Sequence, residues 1–354
     1  MKVISIIFLF ACSVFGSESL VSSDFLDFED KASDFVLEVK KLTIPGFPNA
    51  FNPSIIRWGR NFLLNFRIIP NRSQSFTSYM GVVILDENFD PTSEPQLLDT
   101  RAPDASSPSR CEDGRLIYVG DTLYLVYSDN MEPKISKGGF RIYIAKLEFD
   151  GERFHLKDPE CLTQYDGESR DLREKNWVPF DYRGNLFLGY SLVPHLIFRP
   201  LLMGTGACET ISCTIGSFIW SWGILRGGTS ALLGAAQNGE YLAFFHSSKK
   251  IASAHSDGQN VLHYFMGAYT FSAEPPFSIT RVSSKPIIGK NFYNGPIYKP
   301  FWHPVRVVFP GGYVFDDRFI WIVYGRQDHE AWVAKLDRAK LLESLVPINS
   351  SFVR

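Results

Sequence analysis

Residues 119–128 read Val119-Gly120-Asp121-Thr122-Leu123-Tyr124-Leu125-Val126-Tyr127-Ser128, a tight polar turn followed by a strand rich in aliphatic and aromatic side chains. Glycine and aspartate favour a short hairpin turn, and the preceding Gly114-Arg115-Leu116-Ile117-Tyr118 is typical of the partner strand. The same pattern returns along the chain. Its other four copies are residues 58–67, 182–191, 238–246 and 316–325. The sequence therefore predicts five related β-hairpins.

The spacing of these hairpins indicates the architecture. Their turn markers Gly59, Gly120, Gly184, Gly239 and Asp317 are 61, 64, 55 and 78 residues apart. A step of this size holds four strands with their loops, which is one blade of a β-propeller. We therefore expect an all-β, five-bladed β-propeller with a short C-terminal helix at residues 338–345. A β-sandwich or jelly roll also has short strands, but neither has a reason to repeat one hairpin at this spacing.

The composition is that of a globular protein and excludes several functional classes. Of the 354 residues, 45% are hydrophobic and 21% are charged, which is enough to bury a large core. The 36 basic and 38 acidic residues give a net charge of −2 without a basic block, so nucleic acid is not an expected partner. Neither a phosphate loop, a metal-ligand spacing nor a GxSxG motif is present, so we expect no metal, no cofactor and no serine nucleophile.

The N-terminus has the pattern of a secretory signal. Lys2 precedes an apolar run, residues 3–11, that is too short to span a bilayer. Cleavage is expected before Ser17. Residues 9–12 also form an imperfect lipobox, which would lead to lipidation of Cys12 instead.

The expected organisation is a signal peptide at residues 1–16, an N-terminal extension at 17–50 and the propeller at 51–354. Such a protein would be secreted, periplasmic or in the lumen of the secretory pathway. The apolar residues 196–219 are interrupted by charged residues, a proline and glycines. No stable membrane span is therefore expected.

Four cysteines, Cys111, Cys161, Cys208 and Cys213, follow the signal segment. An even number in an exported protein permits two disulfides in three pairings. Cys208 and Cys213 are separated by four residues and form the easiest closure, which leaves Cys111 with Cys161.

Polar residues beside the hairpins predict one shared site. The inner strands of a propeller converge on a central funnel, so polar residues at equivalent positions of successive blades would face one another. Arg67, His246 and Asp328 lie at or just past the ends of hairpin strands. The segments that precede the second, third and fourth hairpins are Glu112-Asp113-Gly114-Arg115, Lys175-Asn176-Trp177 and Arg226-Gly227-Gly228-Thr229. Because neighbouring residues of a strand point to opposite faces, only one of Glu112 and Asp113 is expected to enter the funnel, and the other to pair with Arg115 or Lys175.

These motifs, in this order, resemble glycoside hydrolase family 130, the β-mannoside phosphorylases and β-1,2-mannosidases. The resemblance runs from about residue 51 to residue 342. It is carried by Asn52-Pro53-Ser54, Glu112-Asp113-Gly114-Arg115, Val307-Val308-Phe309-Pro310-Gly311-Gly312 and Tyr324-Gly325-Arg326-Gln327-Asp328. The family is a five-bladed propeller, so the resemblance implies the same fold. It also implies a general acid at Asp113, which matches the aspartate of the family's Glu-Asp-Pro-Arg motif.

The resemblance extends to the residues around that acid. Arg67 matches a sugar-binding arginine, Glu112 and Arg115 match the neighbours of the acid, and His246 and Asp328 match a histidine and a late aspartate. Lys175, Asn176, Trp177 and Arg226 fit the family pattern loosely, which suggests an outlying subgroup. The implied partner is an oligosaccharide or glycan.

The sequence also departs from the family. The motif's proline is Gly114, the arginine that helps to hold phosphate would fall near Pro194-His195, and the glutamate expected before Gly295 is Asn294. A phosphate dianion needs several cationic donors, and Arg226 is the best-placed candidate, with Lys175 and His195 as possible helpers. The sequence therefore favours hydrolysis or glycosyl transfer on β-mannoside-type glycans over phosphorolysis. A non-catalytic carbohydrate-binding propeller is the alternative.

Each candidate residue also has a structural interpretation. Glu112-Asp113 could form a surface salt bridge, His246 could bond a backbone carbonyl, and Asp328 could cap a turn. Trp177 could pack between blades rather than stack on a sugar. The glycines after Arg226 are typical of a bulge at which φ is positive.

Overall fold

The computed structural model describes residues 25–71, 77–101, 109–130, 139–168, 173–236, 239–296 and 304–353. The expected signal peptide at residues 1–16, with Cys12, lies outside these ranges. The described chain is almost entirely β-structure, with one α-helix, α1 (Arg338–Glu343), where the sequence predicted a helix at residues 338–345. Leu345 instead begins a short strand.

The strands of the first half are β1 (Val36–Leu42), β2 (Phe51–Trp58), β3 (Asn61–Ile68), β4 (Tyr79–Leu85), β5 (Gln96–Leu97), β6 (Glu112–Val119), β7 (Thr122–Asp129), β8 (Arg141–Phe149), β9 (Phe154–Cys161), β10 (Val178–Tyr182), β11 (Asn185–Leu192) and β12 (His195–Pro200). Those of the second half are β13 (Cys208–Gly216), β14 (Ile224–Gly227), β15 (Leu232–Leu233), β16 (Tyr241–Ile251), β17 (Val261–Phe271), β18 (Ile279–Ser283), β19 (Val305–Arg306), β20 (Val308–Phe315), β21 (Phe319–Arg326), β22 (Glu330–Asp337), β23 (Leu345–Pro347) and β24 (Ser350–Phe352).

These strands form five sheets in a propeller-like arrangement. The first sheet has the order β2-β3-β4-β5, the second β6-β7-β8-β9 and the third β10-β11-β12-β13-β24. The fourth contains β14-β16-β17-β18-β23 with β15 and β19 at its margins, and the fifth has the order β1-β22-β21-β20. Consecutive strands are hydrogen-bonded antiparallel neighbours in most of these sheets, as in the blades of a propeller.

The predicted hairpins lie at the start of the sheets. The turns at Gly59, Gly120 and Gly184 have positive φ and join β2 to β3, β6 to β7 and β10 to β11. The copy at residues 316–325 joins β20 to β21. In the fourth sheet, the strand of the predicted copy at residues 238–246 is β16. The strand that precedes it and pairs with it, β15, has only two residues.

Five hydrophobic clusters fill the spaces between neighbouring sheets. Each cluster draws its side chains from two sheets, as Leu63 of the first and Leu125 of the second illustrate, and both of these leucines are fully buried. Equivalent clusters lie between the second and third, third and fourth, fourth and fifth, and fifth and first sheets. Burial of the aromatic and aliphatic faces thus holds the sheets against one another and directs their first strands to the centre.

The N-terminal segment is part of the fifth sheet. Strand β1 pairs antiparallel with β22, from Val36 opposite Leu336 to Leu42 opposite Ala331. The predicted boundary at residue 51 assigns β1 to the N-terminal extension, and β1 is hydrogen-bonded to the fifth sheet. Strand β1 is an outer strand with mostly exposed or half-buried side chains, so it lacks the alternation that marks the inner hairpins.

No disulfide joins the described cysteines, contrary to the prediction. Cys208 and Cys213 both lie on the extended strand β13. At roughly 3.3 Å per residue their Cα atoms are about 16 Å apart, more than twice the reach of a disulfide. Cys111 is buried in the cluster between the first and second sheets, where burial raises the pKa of its thiol to about 11.

The apolar residues 196–219 form β12 and β13 of the third sheet. In the part of the chain that the structure describes, helices are too short and too polar to cross a membrane.

Candidate active site

A cavity of about 680 Å³ opens at the end of the propeller-like arrangement where the first strands of the sheets begin. All five sheets or the segments that lead into them contribute to its wall. The polar lining residues are Asn52, Arg67, Arg110, Glu112, Asp113, Arg173, Lys175, Asn176, Arg226, His246, Ser248, Tyr264 and Asp328. The structure thus brings eight of the ten sequence-predicted site residues into one cavity; Arg115 and Trp177 lie outside its lining.

Three residues at equivalent positions are aimed into the cavity by unusual backbone geometry. Asn52, Asp113 and Asn176 have φ values of +46°, +56° and +65°. Asn52 and Asp113 lie in β-bulges, because the register of β2 with β3 and of β6 with β7 shifts at these points. A bulge re-aims side chains at a strand end, and asparagine and aspartate tolerate the left-handed region better than most residues.

The bulge explains why Glu112 and Asp113 both line the cavity. On a regular strand they would point to opposite faces, so the expectation that only one would enter the funnel was wrong. Position 114, directly after Asp113, has no room for a side chain. A Cβ atom there would lie 2.6 Å from Oδ1 of Asn65 and 2.8 Å from Sδ of Met80, both of which are buried.

The carboxyl group of Asp113 is held by one hydrogen bond and one ion pair. Asn52 Nδ2 donates to its Oδ1 at 2.9 Å, and Nη1 of Arg67 lies 3.6 Å from the same oxygen. The backbone carbonyl of Asp113 accepts a hydrogen bond of 2.7 Å from Arg115 Nη1. Asp113 is 8% exposed, so its carboxyl group is fixed yet open to the cavity on one side.

Glu112 forms the centre of a charged triad. Its Oε1 accepts a hydrogen bond of 2.9 Å from Arg67 Nη2, and its Oε2 is paired with Lys175 Nζ. Burial would raise the pKa of Glu112, but the two cations hold it below its usual range. Arg67 in turn has a raised pKa, because Glu112, Asp113 and Asp328 outweigh the effect of its burial. Glu112 is therefore an anion that organises two cations, while Asp113 faces the cavity beside them.

His246 is buried between aromatic rings. Its ring stacks on Tyr264 at 5.8 Å between centroids and lies 4.7 Å from the ring of Phe309. Burial, with Arg115 and Arg226 nearby, lowers the pKa of His246 to about 3. The imidazole is therefore neutral near pH 7 and serves as a dipole rather than a cation.

The cavity mouth is cationic. Arg173 and Arg226 are exposed, and with the described residues neither side chain forms a hydrogen bond or an ion pair. Together with Arg67, Arg110 and Lys175 they give five cationic side chains against the three carboxylates of Glu112, Asp113 and Asp328. The wall therefore carries a net positive charge.

Two predicted site residues lie behind the wall instead. Trp177 is 1% exposed and packs in the cluster between the second and third sheets, where its Nε1 donates to Glu174 Oε2 at 3.1 Å. It cannot stack on a sugar, so the packing interpretation holds. Arg115 is 2% exposed. Its Nη2 donates a hydrogen bond of 3.0 Å to Asn176 Oδ1, while its Nη1 donates to the backbone carbonyl of Asp113, so it links the two residues.

His195 and the glycines after Arg226 also differ from expectation. His195 is buried on β12, and its Nδ1 lies 2.8 Å from the carbonyl oxygen of Phe277, outside the cavity lining. Gly227 and Gly228 do not have positive φ. Glycine is required there because a Cβ atom on Gly227 would overlap the carbonyl oxygen of Asn176.

Five polar lining residues were not predicted from the sequence: Asn52, Arg110, Arg173, Ser248 and Tyr264. A signal for Asn52 exists, since Asn52, Asp113 and Asn176 are 61 and 63 residues apart, which matches the hairpin spacing. Tyr264 has no such signal, because it reaches the cavity only through the pairing of β17 with β16.

Comparison with solved structures finds proteins that share this fold. The β-1,2-mannobiose phosphorylase of Listeria innocua matches with a TM-score of 0.55 and 14% identity over 87% of this chain and 99% of that one. A structure from work on the GH130 mannoside phosphorylases, a family containing hydrolases of β-1,2 linkages in Candida mannan, matches with a TM-score of 0.55 and 15% identity, covering 89% and 95%. The mannose phosphorylase MPT-4 of Leishmania mexicana matches with a TM-score of 0.56 and 13% identity over 90% of this chain and 93% of that one.

The resemblance to glycoside hydrolase family 130 is confirmed. At these identities the likeness is one of fold. Neither a family model nor a curated protein matches the sequence. The low identity agrees with an outlying relative of the family 130 fold.

Two departures from the family 130 motifs have structural explanations. Gly114 stands where the motif has proline, and the absence of space for a side chain there accounts for it. Asn294 stands where a glutamate was expected, and its Oδ1 lies 2.8 Å from His255 Nδ1 while its Nδ2 donates to Glu29. Asn294 is thus engaged with the N-terminal segment.

Proposed function

We propose that this protein cleaves β-mannoside-type glycosidic bonds in the cavity, with Asp113 as the proton donor. The observation that carries the proposal is the convergence of Asp113, Arg67 and Asp328 on one cavity, with the carboxyl group of Asp113 oriented by Asn52 at 2.9 Å. Its substrate is an oligosaccharide or glycan, which the glycan-active structural neighbours support.

Hydrolysis needs a second group that activates water. Asp328 suits this role because it lines the same cavity, just past the end of β21 in the fifth sheet. One carboxyl group that protonates the leaving oxygen and one that activates the attacking water are the parts of glycoside hydrolysis. Arg67, Lys175 and Asn176 then bind sugar hydroxyl groups.

Incubation of the purified protein with β-1,2- and β-1,4-mannooligosaccharides tests the activity. We expect release of mannose, and a loss of at least about a hundredfold in kcat for Asp113→Asn, because a general acid contributes about that much or more. Asp150→Asn, at an exposed carboxylate that bonds the turn to Arg153, is the matched control. Sugar binding with equal turnover in wild type and Asp113→Asn would contradict the proposal, and binding without any turnover would support a non-catalytic carbohydrate-binding propeller.

The cationic mouth favours a second candidate, phosphorolysis. Arg226 and Arg173 have no carboxylate partner among the described residues, and a dianion in this cavity would meet Lys175 as well. This arrangement weakens the sequence-based preference for water or a second sugar as acceptor. If phosphate is the acceptor, the product is mannose 1-phosphate, and the rate rises with added phosphate.

A variant separates the two candidates. Arg226→Gln is expected to raise the KM for phosphate about tenfold or more if phosphate binds there, because a charge-assisted pair is lost. Arg199→Gln, at an arginine paired with Glu209 on β13, is the control. A rate that does not depend on phosphate in any of these proteins would leave hydrolysis or transfer as the reaction.

The same proposal includes the architecture and the compartment. Five sheets with one hydrophobic cluster between each neighbouring pair are the pattern of a closed five-bladed ring, and we propose that each sheet is one blade. Export through the signal segment would place the enzyme where extracellular or lumenal glycans occur. Detection of a mature chain that begins at Ser17 in secreted material would support this.

A further inference from the structure

We propose a second carbohydrate-binding site at the opposite end of the ring, specific for a neutral pyranoside. A cavity of about 380 Å³ lies there, within the range of roughly 300–1,000 Å³ that small-ligand pockets occupy. Residues of the second, third, fourth and fifth sheets line it, among them Tyr118, Tyr182, Arg183, Leu233, Glu274 and Phe315.

The two cavities are separated by the length of the inner strands. Strand β6 begins at Glu112 and Asp113 in the first cavity and reaches Tyr118 in the second. Strand β16 runs the other way, from Tyr241 in the second cavity to His246 in the first. Five residues of strand span about 16 Å, and buried side chains such as Phe244 fill the interval. A ligand in one cavity therefore cannot touch the other.

The chemistry of the second cavity fits a sugar ring. Tyr118 is 39% exposed and lines the cavity, so part of its ring is open to a ligand, and its hydroxyl group forms no hydrogen bond with the described residues. Leu233, 53% exposed, and Phe315 extend the apolar surface. Aromatic rings with a polar tip bind groups that are apolar on one side and hydroxylated on the other, as a pyranose is.

Exposed donors and acceptors that pair with one another lie beside these rings, since the side chains of Arg183 and Glu274 are 70% and 60% exposed. Glu274 accepts from Tyr182 Oη at 2.6 Å and from Arg183 Nη2 at 3.0 Å, which orders the carboxylate and the guanidinium without using all their hydrogen-bonding capacity. Hydroxyl groups both donate and accept, so an adjacent carboxylate and guanidinium suit a diol. Arg183 opposes Asp181 and Glu274, so this cavity has net negative charge and does not favour an anionic ligand.

Direct titration of Asp113→Asn protein with neutral tetraoses tests the proposal without turnover. The probes are β-1,2-mannotetraose, β-1,4-mannotetraose and cellotetraose. With at least one of them we expect a binding event that Tyr118→Ala and Arg183→Ala each weaken about tenfold, because stacking or a polar contact is lost. Tyr118→Phe keeps the ring and should bind within about twofold of the parent protein.

Tyr79→Ala is the matched control, since Tyr79 is a similarly exposed tyrosine on β4, at 38%, and does not line either cavity. Binding that Tyr118→Ala and Arg183→Ala leave unchanged, or no binding of any probe at about 10 mM, would overturn the proposal. The result does not depend on the first cavity. If catalysis on mannosides proves absent, binding that depends on Tyr118 still establishes the second site.

Discussion

Asn52 and Asp113 occupy equivalent bulges on neighbouring sheets, and the amide of the first donates a hydrogen bond of 2.9 Å to the carboxylate of the second. Both backbones have positive φ. The side chain of Asn52 fits only because residue 325 is glycine. A Cβ atom on residue 325 would overlap the amide oxygen of Asn52. Packing between the fifth and first sheets thus fixes the orientation of the candidate acid.

Replacement of Asn52 should therefore affect catalysis more than binding. We expect Asn52→Gly, which accepts positive φ without strain, to lower kcat about tenfold with little change in KM, because the carboxyl group of Asp113 loses its orienting donor. Steady-state kinetics on the preferred mannooligosaccharide would measure this.

Asn52→Asp is the sharper variant, because it places a second carboxylate beside Asp113. Two carboxylates in contact repel each other, so Asn52→Asp should lower kcat further than Asn52→Gly does. Full activity in both variants would show that the amide of Asn52 does not act on the acid.

Glu112 should matter for folding as well as for the site. Glu112→Gln leaves Arg67 and Lys175 beside each other in a largely buried position without their shared anion. We expect the free energy of unfolding to fall by about 2–3 kcal/mol, less than the roughly 3–5 kcal/mol of a fully buried pair, because the three side chains remain 11–18% exposed. Denaturant titration would measure it. Glu209→Gln, at an exposed pair with Arg199, should cost less than about 1 kcal/mol. Equal losses in the two variants would contradict the structural role of the triad.

Glycine 114 should not tolerate a side chain. Its Cβ position is 2.6 Å from Asn65 Oδ1 and 2.8 Å from Met80 Sδ, and both neighbours are packed in the core. Gly114→Ala should destabilise the fold by about 1–3 kcal/mol through overpacking. At Gly189 the nearest atom, Val178 Cβ, is 3.4 Å away, so Gly189→Ala should change stability by less than about 0.5 kcal/mol. Thermal melts of the two variants and the wild type would measure the difference. An equal melting temperature for Gly114→Ala and the wild type would contradict the prediction.

Acid should weaken the fold through buried histidines. Burial lowers the pKa of His195 to about 4, although its bond to the Phe277 carbonyl opposes this. The unfolded chain takes up the proton near pH 6.5, so this contribution to stability is complete above that pH and decreases as the pH falls towards 4. At pH 5 the loss is about 2 kcal/mol.

His195→Gln should reduce that acid sensitivity, because the amide does not titrate. Unfolding midpoints of wild type and variant at pH 7.5 and 5 would measure the difference. His155→Gln, at an exposed histidine on β9, should retain the wild-type slope. The same slope in His195→Gln and wild type would show that this histidine is not the cause.

The inner part of the fold was predictable because local signals and packing agree there. The turn at Gly120 needs positive φ, and the alternating residues that follow it become the buried faces of β7. Strands β1, β23 and β24 were not predictable. They are short or mostly exposed, and they pair with strands of distant sequence, so neither periodicity nor turn chemistry marks them.

The candidate site was predictable where polar residues lie beside the predicted hairpins, as Asp113 and Arg67 do. It was not predictable where burial decided the role. Trp177 lies in the core because Glu174 satisfies its indole nitrogen, and no sequence pattern distinguishes that from a sugar platform. The side-chain direction of Glu112 depended on a bulge that a regular strand pattern cannot indicate.

The pairing of β1 with β22 has a consequence for synthesis. Val36 leaves the ribosome about 300 residues before its partner Leu336. At roughly 5–20 residues per second, β1 waits about 15–60 s for the strand that it will join. Until then β22 does not exist to cover it, and the hydrophobic surface that the first sheet shares with the fifth is open to water. Translation speed and chaperone access during that interval, rather than the stability of the finished ring, would govern how much of the newly made chain escapes aggregation.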